Sequence, residues 1–213
     1  MINKDTEIYC SFAEKAGNVG CKLFNSSFNY YGMDKIYKSF SINNIEDAIN
    51  AVKTLDIKGF AVTMPFKVEV INYLDELELG VQSIGAVNTV INDNGYLIGY
   101  NTDYLAAKEI LDECLGIDLY ILGNGGYSRA VQQAAKDLGY KPNIISRSNW
   151  KDIKNIKDSI VYNCTPIKKI KVDKSNEFID CIVSTPTGSR LSWIQASHQF
   201  KLYTGKELPI RSM

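Results

Sequence analysis

The chain has 213 residues, of which 45% are hydrophobic, so it can bury a core as one large domain or two small ones. Its 24 basic and 24 acidic side chains cancel, and this balance gives no argument for nucleic acid or an anionic membrane as a partner. No apolar run approaches the roughly 20 residues of a membrane span, and the N-terminus MINKDTEIYC lacks the apolar segment of a signal peptide. The five scattered cysteines form no C-x-x-C pair, which indicates neither a disulfide framework nor a metal site. We therefore expect a reduced, cytoplasmic protein without a bound metal.

Strand and helix patterns alternate through the first half of the chain and predict an α/β domain. Asn44, followed by two acids, is a candidate N-cap. The run Asn92-Asp93-Asn94-Gly95 between two apolar segments is typical of a hairpin turn. In chain order we predict strands at 6–12, 35–40 and 59–64, helices at 21–31, 44–55 and 68–79, and then the hairpin.

The second half of the chain begins a new strand-turn-helix unit. A predicted helix at 104–115 links it to the first half and begins directly after Asp103. The apolar strand 118–122 is followed by a glycine-rich loop, 123–129, and by a helix, 130–138, that Gly139 closes. The next predicted strand is 143–146, and no repeat or low-complexity linker interrupts the chain.

Three polar clusters in the first half each follow an apolar run: GFAVTMPFK (59–67), GAVNTV (85–90) and GYNTD (99–103). This pattern favours three strands of one sheet that deliver side chains to a common edge. The edge then collects Thr63, Lys67, Asn88, Asn101 and Asp103. Such a crevice suits a polar, polyhydroxylated small molecule, with Lys67 and Asp103 as an acid–base pair. Solvated surface charges and ordinary turn residues are the alternative interpretation.

The glycine-rich loop predicts a dinucleotide site because it follows a strand and opens a helix. Glycines allow backbone amides to approach a pyrophosphate, and the helix N-terminus adds partial positive charge. The pattern is G-x-G-G-x-x-R, and the residues we expect at the cofactor are Gly123, Gly125, Gly126, Tyr127 and Arg129.

The segment Ile144-Ile145-Ser146-Arg147-Ser148 bears on the choice of cofactor. About 20 residues beyond such a loop, NAD enzymes place an acid and NADP enzymes an arginine. No carboxylate precedes Arg147, so Arg147 and Ser148 favour NADP. A solvated arginine after a strand is the alternative interpretation.

These motifs resemble those of the shikimate dehydrogenase family, which read roughly N-V-T-x-P-x-K, A-V-N-T and G-x-N-T-D. Ala61 stands where the family usually has Asn, and the glycine loop and Ser146-Arg147-Ser148 resemble the family's loop and its N-R-T. The resemblance implies an N-terminal α/β substrate domain with a mixed sheet and a Rossmann-like nucleotide-binding domain. It also implies Lys67 and Asp103 as catalytic residues and NADP as cofactor.

Later segments extend the resemblance. Val161-Tyr162-Asn163-Cys164-Thr165-Pro166 resembles the family's N-x-T-P, which places Thr165 near the nicotinamide side. Gln195 matches a glutamine that touches substrate, within C-terminal helices that return to the first domain. The implied domains are 1–103, completed by 187–213, and 104–186.

The N-terminal loop departs from the family. Asn18 and Gly20 stand where two carboxylate-binding serines of H-S-x-S-P belong. The stretch from Ser11 to Gly20 instead resembles the shikimate dehydrogenase-like branch, roughly S-x-A-x-R-P-x-N-x-G. Lys15 takes the place of that branch's Arg, so Lys15 and Asn18 are candidate contacts for a substrate carboxylate. The alternative is that Lys15 is a solvated charge beside Glu14.

The second departure is length. Only 16 positions separate Arg147 from Asn163, and 22 separate Pro166 from Gly188, about half of what relatives use. The nucleotide domain is therefore expected to be truncated. Two functions stay open: an NADP-dependent dehydrogenase acting on a shikimate- or quinate-like carboxylated cyclic alcohol, and a degenerate relative that binds a small ligand or partner without turnover. Monomer and homodimer are equally open.

Overall fold

The computed structural model describes residues 2–114 and 118–209. The chain forms two compact units. The first comprises the residues up to Asn101 together with those from Ser197 onward, and the second runs from Thr102 to Ala196. Each unit has its own sheet.

The first unit is built on a six-stranded mixed sheet in the order β2-β1-β3-β5-β6-β4. β1 is parallel to β2 and β3, whereas β5 is antiparallel to β3 and β6. Its elements are β1 (Glu7–Ala13), α1 (Val19–Tyr30), β2 (Lys35–Ser41), α2 (Ile45–Thr54), β3 (Gly59–Val62), β4 (Glu76–Leu77), α3 (Val81–Ile84), β5 (Thr89–Asp93) and β6 (Tyr96–Tyr100).

Helix α2 confirms the predicted cap. The Asn44 side-chain oxygen accepts hydrogen bonds from the backbone amides of Glu46 (2.7 Å) and Asp47 (3.3 Å). The apolar positions Ile45, Ile49 and Val52 recur at helical spacing and are buried against the sheet core. The N-cap and the buried apolar face therefore both support the predicted helix.

The β5–β6 hairpin is also confirmed. Its two-residue turn places Asn94 at φ 52° and Gly95 at φ 95°, the left-handed region that a type I′ turn requires at both positions. Asn92 Oδ1 accepts a hydrogen bond of 2.7 Å from the Gly95 amide, which ties the turn to the strand.

The predicted helix at 68–79 is wrong. The chain forms a single 3₁₀ segment, Glu69–Tyr73, and then the short strand β4 on the edge of β6. The Asp75 amide donates to Leu97 O at 2.9 Å, and Asp75 Oδ2 accepts from the Leu97 amide at 2.7 Å. Pairing with the open edge of β6 overrides helix formation, and Leu74 and Leu77 pack against the core in this arrangement too. The apolar spacing alone therefore could not distinguish the two structures.

The second unit contains a four-stranded parallel sheet in the order β10-β9-β7-β8. This confirms the predicted fold class, a mixed-sheet α/β unit combined with a Rossmann-like parallel one. Its elements are α4 (Thr102–Asp112), β7 (Leu119–Leu122), α5 (Gly126–Asp137), β8 (Asn143–Ile145), β9 (Ile160–Asn163), β10 (Glu177–Asp180) and the first part of α6 (Pro186–Thr204).

Several predicted boundaries shift in the structure. Helix α4 begins at Thr102, so Asp103 lies in its first turn, and Leu115 lies outside the described residues. Helix α5 begins at Gly126, not at 130, because the Arg129 amide already donates to Gly125 O at 3.0 Å. The C-terminal elements form one helix, α6, where more than one was expected. The crossover from β8 to β9 contains only a 3₁₀ segment, Trp150–Asn155.

The described residues contain no helix that is both long and apolar enough to cross a membrane. Within 2–114 and 118–209, no group of three or more His, Cys, Asp or Glu side chains is arranged to hold a metal ion. All five cysteines are free thiols.

Gly188 lies against the backbone of the segment that follows β10. A Cβ atom at this position would lie 2.0 Å from Ile182 O and 2.9 Å from Asp180 O. The Gly188 amide donates to Thr185 Oγ1 at 3.1 Å, and Thr187 Oγ1 donates to Asp180 O at 3.1 Å. The first turn of α6, packed against the end of β10, therefore leaves no room for a side chain at 188.

We predict that Gly188→Ala lowers the free energy of unfolding by about 1–3 kcal/mol, because the new methyl group overlaps a backbone carbonyl. Urea unfolding measures the change. Gly17→Ala is the matched control, since a Cβ at Gly17 meets no atom within 4 Å. Equal stability of the two variants would show that the turn adapts.

Candidate functional site

The first sheet brings three of the predicted polar clusters to one edge. The Val62 amide donates to Asn88 O at 2.8 Å, and the Asn88 amide donates to Tyr100 O at 3.1 Å. Because β5 is antiparallel to both of its neighbours, its start lies beside the ends of β3 and β6. Thr63, Asn88 and Asn101 therefore lie at the same edge.

Lys67 belongs to this edge through its backbone. Its carbonyl accepts a 2.8 Å hydrogen bond from the Val87 amide, directly before Asn88. The Lys67 side chain is half-buried, and Thr63 is exposed. A lysine whose backbone is bonded beside Asn88 can donate to, or exchange a proton with, a hydroxylated ligand at this edge.

The two asparagines are buried and held in place. Asn101 Nδ2 donates to Ala86 O at 2.8 Å, and Asn88 Oδ1 accepts from Thr89 Oγ1 at 3.0 Å. Gln199, which the sequence did not single out, donates through Nε2 to Thr89 Oγ1 at 2.9 Å. Gln199 and Gln195 are four residues apart on α6, so helical spacing was the signal that could have found Gln199.

The loop after β1 begins beside the same edge. The Thr63 amide donates to Phe12 O at 3.0 Å, and the Glu14 amide donates to Met64 O at 3.3 Å. Lys15 and Asn18 follow, and both are exposed. Asn18 precedes α1, but its side chain makes no capping hydrogen bond. Both side chains are therefore open to solvent.

In the second unit, Asp103 and Gln195 flank one threonine. Asp103 is only 7% exposed in the first turn of α4. Its neighbour Thr102 donates through Oγ1 to Gln195 Oε1 at 3.3 Å. A carboxylate on the first turn of a helix benefits from the partial positive charge of the helix terminus.

The parallel sheet gathers most of the predicted cofactor residues at its carboxyl edge. The Gly123 amide donates to Ile145 O at 2.7 Å, and the Cys164 amide donates to Leu122 O at 2.9 Å. The chain leaves β7 toward β8 on one side and reaches β9 on the other, so the glycine loop lies at a topological switch point. Dinucleotides bind at such points in open α/β sheets.

A side chain at Gly123 would displace the neighbouring residues at the carboxyl edge of the parallel sheet. Its φ of 103° is left-handed, and a Cβ would lie 2.9 Å from Thr165 Cγ2. At Gly125, in contrast, a Cβ would meet nothing within 4 Å, so the space above the N-terminus of α5 is open. Ser128 Oγ donates to Gly123 O at 2.8 Å and holds the loop. This open cradle of backbone amides fits a pyrophosphate.

The loop after β8 presents its cation to solvent. Ser146 Oγ and Ser148 Oγ share a hydrogen bond of 2.9 Å, and Asn149 Oδ1 accepts from the Ser146 amide at 2.7 Å. Arg147 is exposed and makes no ion pair with a residue of the described parts of the chain. Arg129, in the first turn of α5, is also exposed.

A pair of tyrosines, one buried and one partly buried, lies close to Asp103, and the sequence did not predict the pairing. The hydroxyls of Tyr127 and Tyr162 are 2.9 Å apart. Burial raises the pKa of both tyrosines well above the usual value, and the neighbouring Cys164 and the carboxylate of Asp103 raise it further. The hydroxyl of Tyr127 therefore stays protonated at neutral pH.

The fold and this edge define an α/β protein with a Rossmann-like second unit, and comparisons identify its family. Residues 19–90 match the model of the shikimate dehydrogenase substrate binding domain. The shikimate dehydrogenase-like protein of Haemophilus influenzae is 31% identical, over 96% of this chain and 93% of that protein. The NADP(+) shikimate dehydrogenase of Pyrococcus furiosus is 39% identical over 68% of this chain. The matched region covers about half (54%) of that relative.

Solved structures agree. A shikimate dehydrogenase in complex with NADP+ superposes with a TM-score of 0.79 at 26% identity, over 98% of this chain and 93% of that one. The chain belongs to the shikimate dehydrogenase family. The predicted family, its oxidoreductase class and NADP as its cofactor are thereby confirmed at the level of the family.

We predict that Tyr127→Phe and Tyr162→Phe are coupled in stability, because each single variant already breaks the hydrogen bond between the two hydroxyls. The double variant should be less destabilised than the sum of the single ones, by about 0.5–3 kcal/mol. Urea unfolding of the four proteins in the cycle gives this coupling energy.

Tyr120→Phe serves as the control, since Tyr120 is half-buried in the same unit. The combination of Tyr120→Phe with Tyr127→Phe should be additive. Additivity in the Tyr127–Tyr162 cycle as well would mean that the hydroxyl pair contributes nothing.

Proposed function

We propose that the protein is an NADP-dependent oxidoreductase that interconverts a carboxylated cyclic alcohol and its ketone, of the shikimate or quinate type. The observation that carries the proposal is the meeting of Thr63, Asn88 and Asn101 with the Lys67 backbone at one sheet edge. In a member of this family, such an edge suits a small hydroxylated ligand.

The second unit supplies residues that fit the cofactor. The backbone of Gly123, Gly125 and Gly126 would take the pyrophosphate, with Tyr127 and Arg129 in the same turn. Arg147 and Ser148 would take the 2′-phosphate, and Thr165 would border the nicotinamide side. When bound, NADP accepts or supplies the hydride.

The protein's own contribution is orientation and proton transfer. In the proposed reaction, Lys67 exchanges the proton of the substrate hydroxyl, and Asp103 is the second member of the acid–base pair. Asn88 and Asn101 are held in place by hydrogen bonds within the first unit, so their side-chain amides can recognise ring hydroxyls with little loss of entropy. Thr63 and Gln195 complete the proposed substrate set.

The substrate carboxylate is assigned to the loop after β1. Lys15 and Asn18 are exposed and follow a strand that ends at the proposed site. A charge-assisted hydrogen bond from Lys15 is worth about 1.5–3 kcal/mol. Lys15 thus takes over the role that two serines have in the family's H-S-x-S-P motif.

A non-catalytic relative that binds a small ligand is the second candidate. The short crossover Trp150–Asn155 favours it, as does the alignment with the Haemophilus protein, which runs over 251 positions and so passes over residues that this chain lacks. Fluorescence titration with NADPH separates the two candidates. Saturable binding supports the enzyme, and its absence supports the non-catalytic relative.

We expect Lys67→Ala and Asp103→Ala each to lower turnover by roughly 100-fold or more, because each removes a group from the proton transfer. Reduction of NADP+ by shikimate and by quinate, followed by NADPH absorbance, measures the loss. Lys53→Ala and Asp112→Ala are matched controls on exposed positions and should keep wild-type turnover. Wild-type turnover in either test variant would remove that residue from the mechanism.

We expect Arg147→Ala to weaken NADPH binding by about 1.5–3 kcal/mol and to leave NADH binding nearly unchanged, because only NADPH carries the 2′-phosphate. Lys141→Ala, another exposed cation near β8, should change neither affinity. An equal loss for both cofactors would show that Arg147 has a structural role instead.

A further inference from the structure

The second unit carries a pocket that the proposed function does not use. Its volume is about 230 Å³, and two segments line it, one in the crossover after β8 and one after β9. Four lysines, one tryptophan and three isoleucines form the walls: Trp150, Lys151, Ile153, Lys154, Ile167, Lys169, Ile170 and Lys171. No carboxylate is among the lining residues.

The four lysines of this pocket lack counter-charges. All four are exposed, and none makes an ion pair with a residue in 2–114 or 118–209. The surrounding stretch, residues 150–174, holds seven lysines and three aspartates, although the whole chain is neutral. Uncompensated like charges around one concavity raise the local concentration of anions.

The floor of the pocket is apolar. Ile153 is buried, and Trp150 and Ile170 are partly buried against the cluster that covers one side of the parallel sheet. Each therefore presents its remaining apolar surface beside ammonium groups. A ligand that matches this lining has an apolar or aromatic body and an anionic end.

The volume limits the size of that ligand. Drug-sized molecules occupy pockets of about 300–1,000 Å³, so 230 Å³ suits a single ring with one phosphate group. None of the residues proposed to hold NADP lines this pocket. We infer that the pocket is a second anion site, distinct from the cofactor residues, that binds a small aryl phosphate or a molecule of the same chemistry.

Phenyl phosphate is the probe, and its binding to the full chain is measured by calorimetry. The Trp193→Phe variant leaves Trp150 as the only tryptophan, so quenching of its fluorescence locates the probe. The triple variant Lys154→Gln/Lys169→Gln/Lys171→Gln should weaken binding about tenfold, because it removes three weak, solvent-screened attractions. Inorganic phosphate and phenol, which each lack one half of the probe, should both bind more weakly than phenyl phosphate.

The matched control is Lys157→Gln/Lys168→Gln/Lys174→Gln, which removes the same charge from exposed lysines of the same stretch outside the pocket. This control should bind within about twofold of wild type. Equal weakening in the two triple variants would mean diffuse attraction and would overturn the site. Loss of binding in Arg147→Ala would place the probe at the cofactor residues and would also overturn it, whereas retention supports a separate site.

Discussion

The pairing of the β5–β6 hairpin with β3 is the constraint on which the first unit depends. Ala61 lies opposite Thr89, and Thr89 opposite Tyr100. A slip of one residue would turn every side chain of β5 to the other face of the sheet. Thr89 would then lose the hydrogen bond from Gln199, and Asn88 would leave the edge that it shares with Asn101. The type I′ turn at Asn94-Gly95 fixes this register from the far end of the hairpin.

The second unit depends on the close approach of Gly123 to Thr165, and the short crossover between β8 and β9 does not disturb this contact. The approach of Gly123 to Thr165 follows from the pairing of β7 with β9, in which Leu122 lies opposite Asn163. The abbreviated crossover instead concerns β8, a three-residue strand at the edge of the sheet. Elements can therefore be lost beyond β8 while the glycine loop keeps its place at the switch point. This explains how a short chain retains the features of a dinucleotide fold.

Local signals predicted the features that local physics decides. The Asn44 cap, the hairpin turn and the glycine loop each follow from the preferences of a few neighbouring residues. The segment 68–79 failed because its leucines reach the core either from a helix or from an edge strand, and only the free edge of β6 decides between them. Gln199 and the Tyr127–Tyr162 pair were not predicted, since each depends on a partner distant in the sequence. Partner identity is a property of the tertiary fold.

The net charge of the whole chain does not reveal the lysine-rich stretch in the second unit. A formal charge of zero argues against a polyanionic partner only if the charges are evenly spread. Between β9 and β10 the chain forms neither helix nor strand, yet Ile170 and Val172 pack on the sheet cluster while Lys169 and Lys171 remain exposed. Apolar and basic residues therefore alternate along this segment, and the apolar ones cover one face of the sheet. The lysines between them line the same pocket as Lys151 and Lys154 of the crossover. A truncated α/β unit that covers its sheet in this way concentrates positive charge as a consequence of its packing.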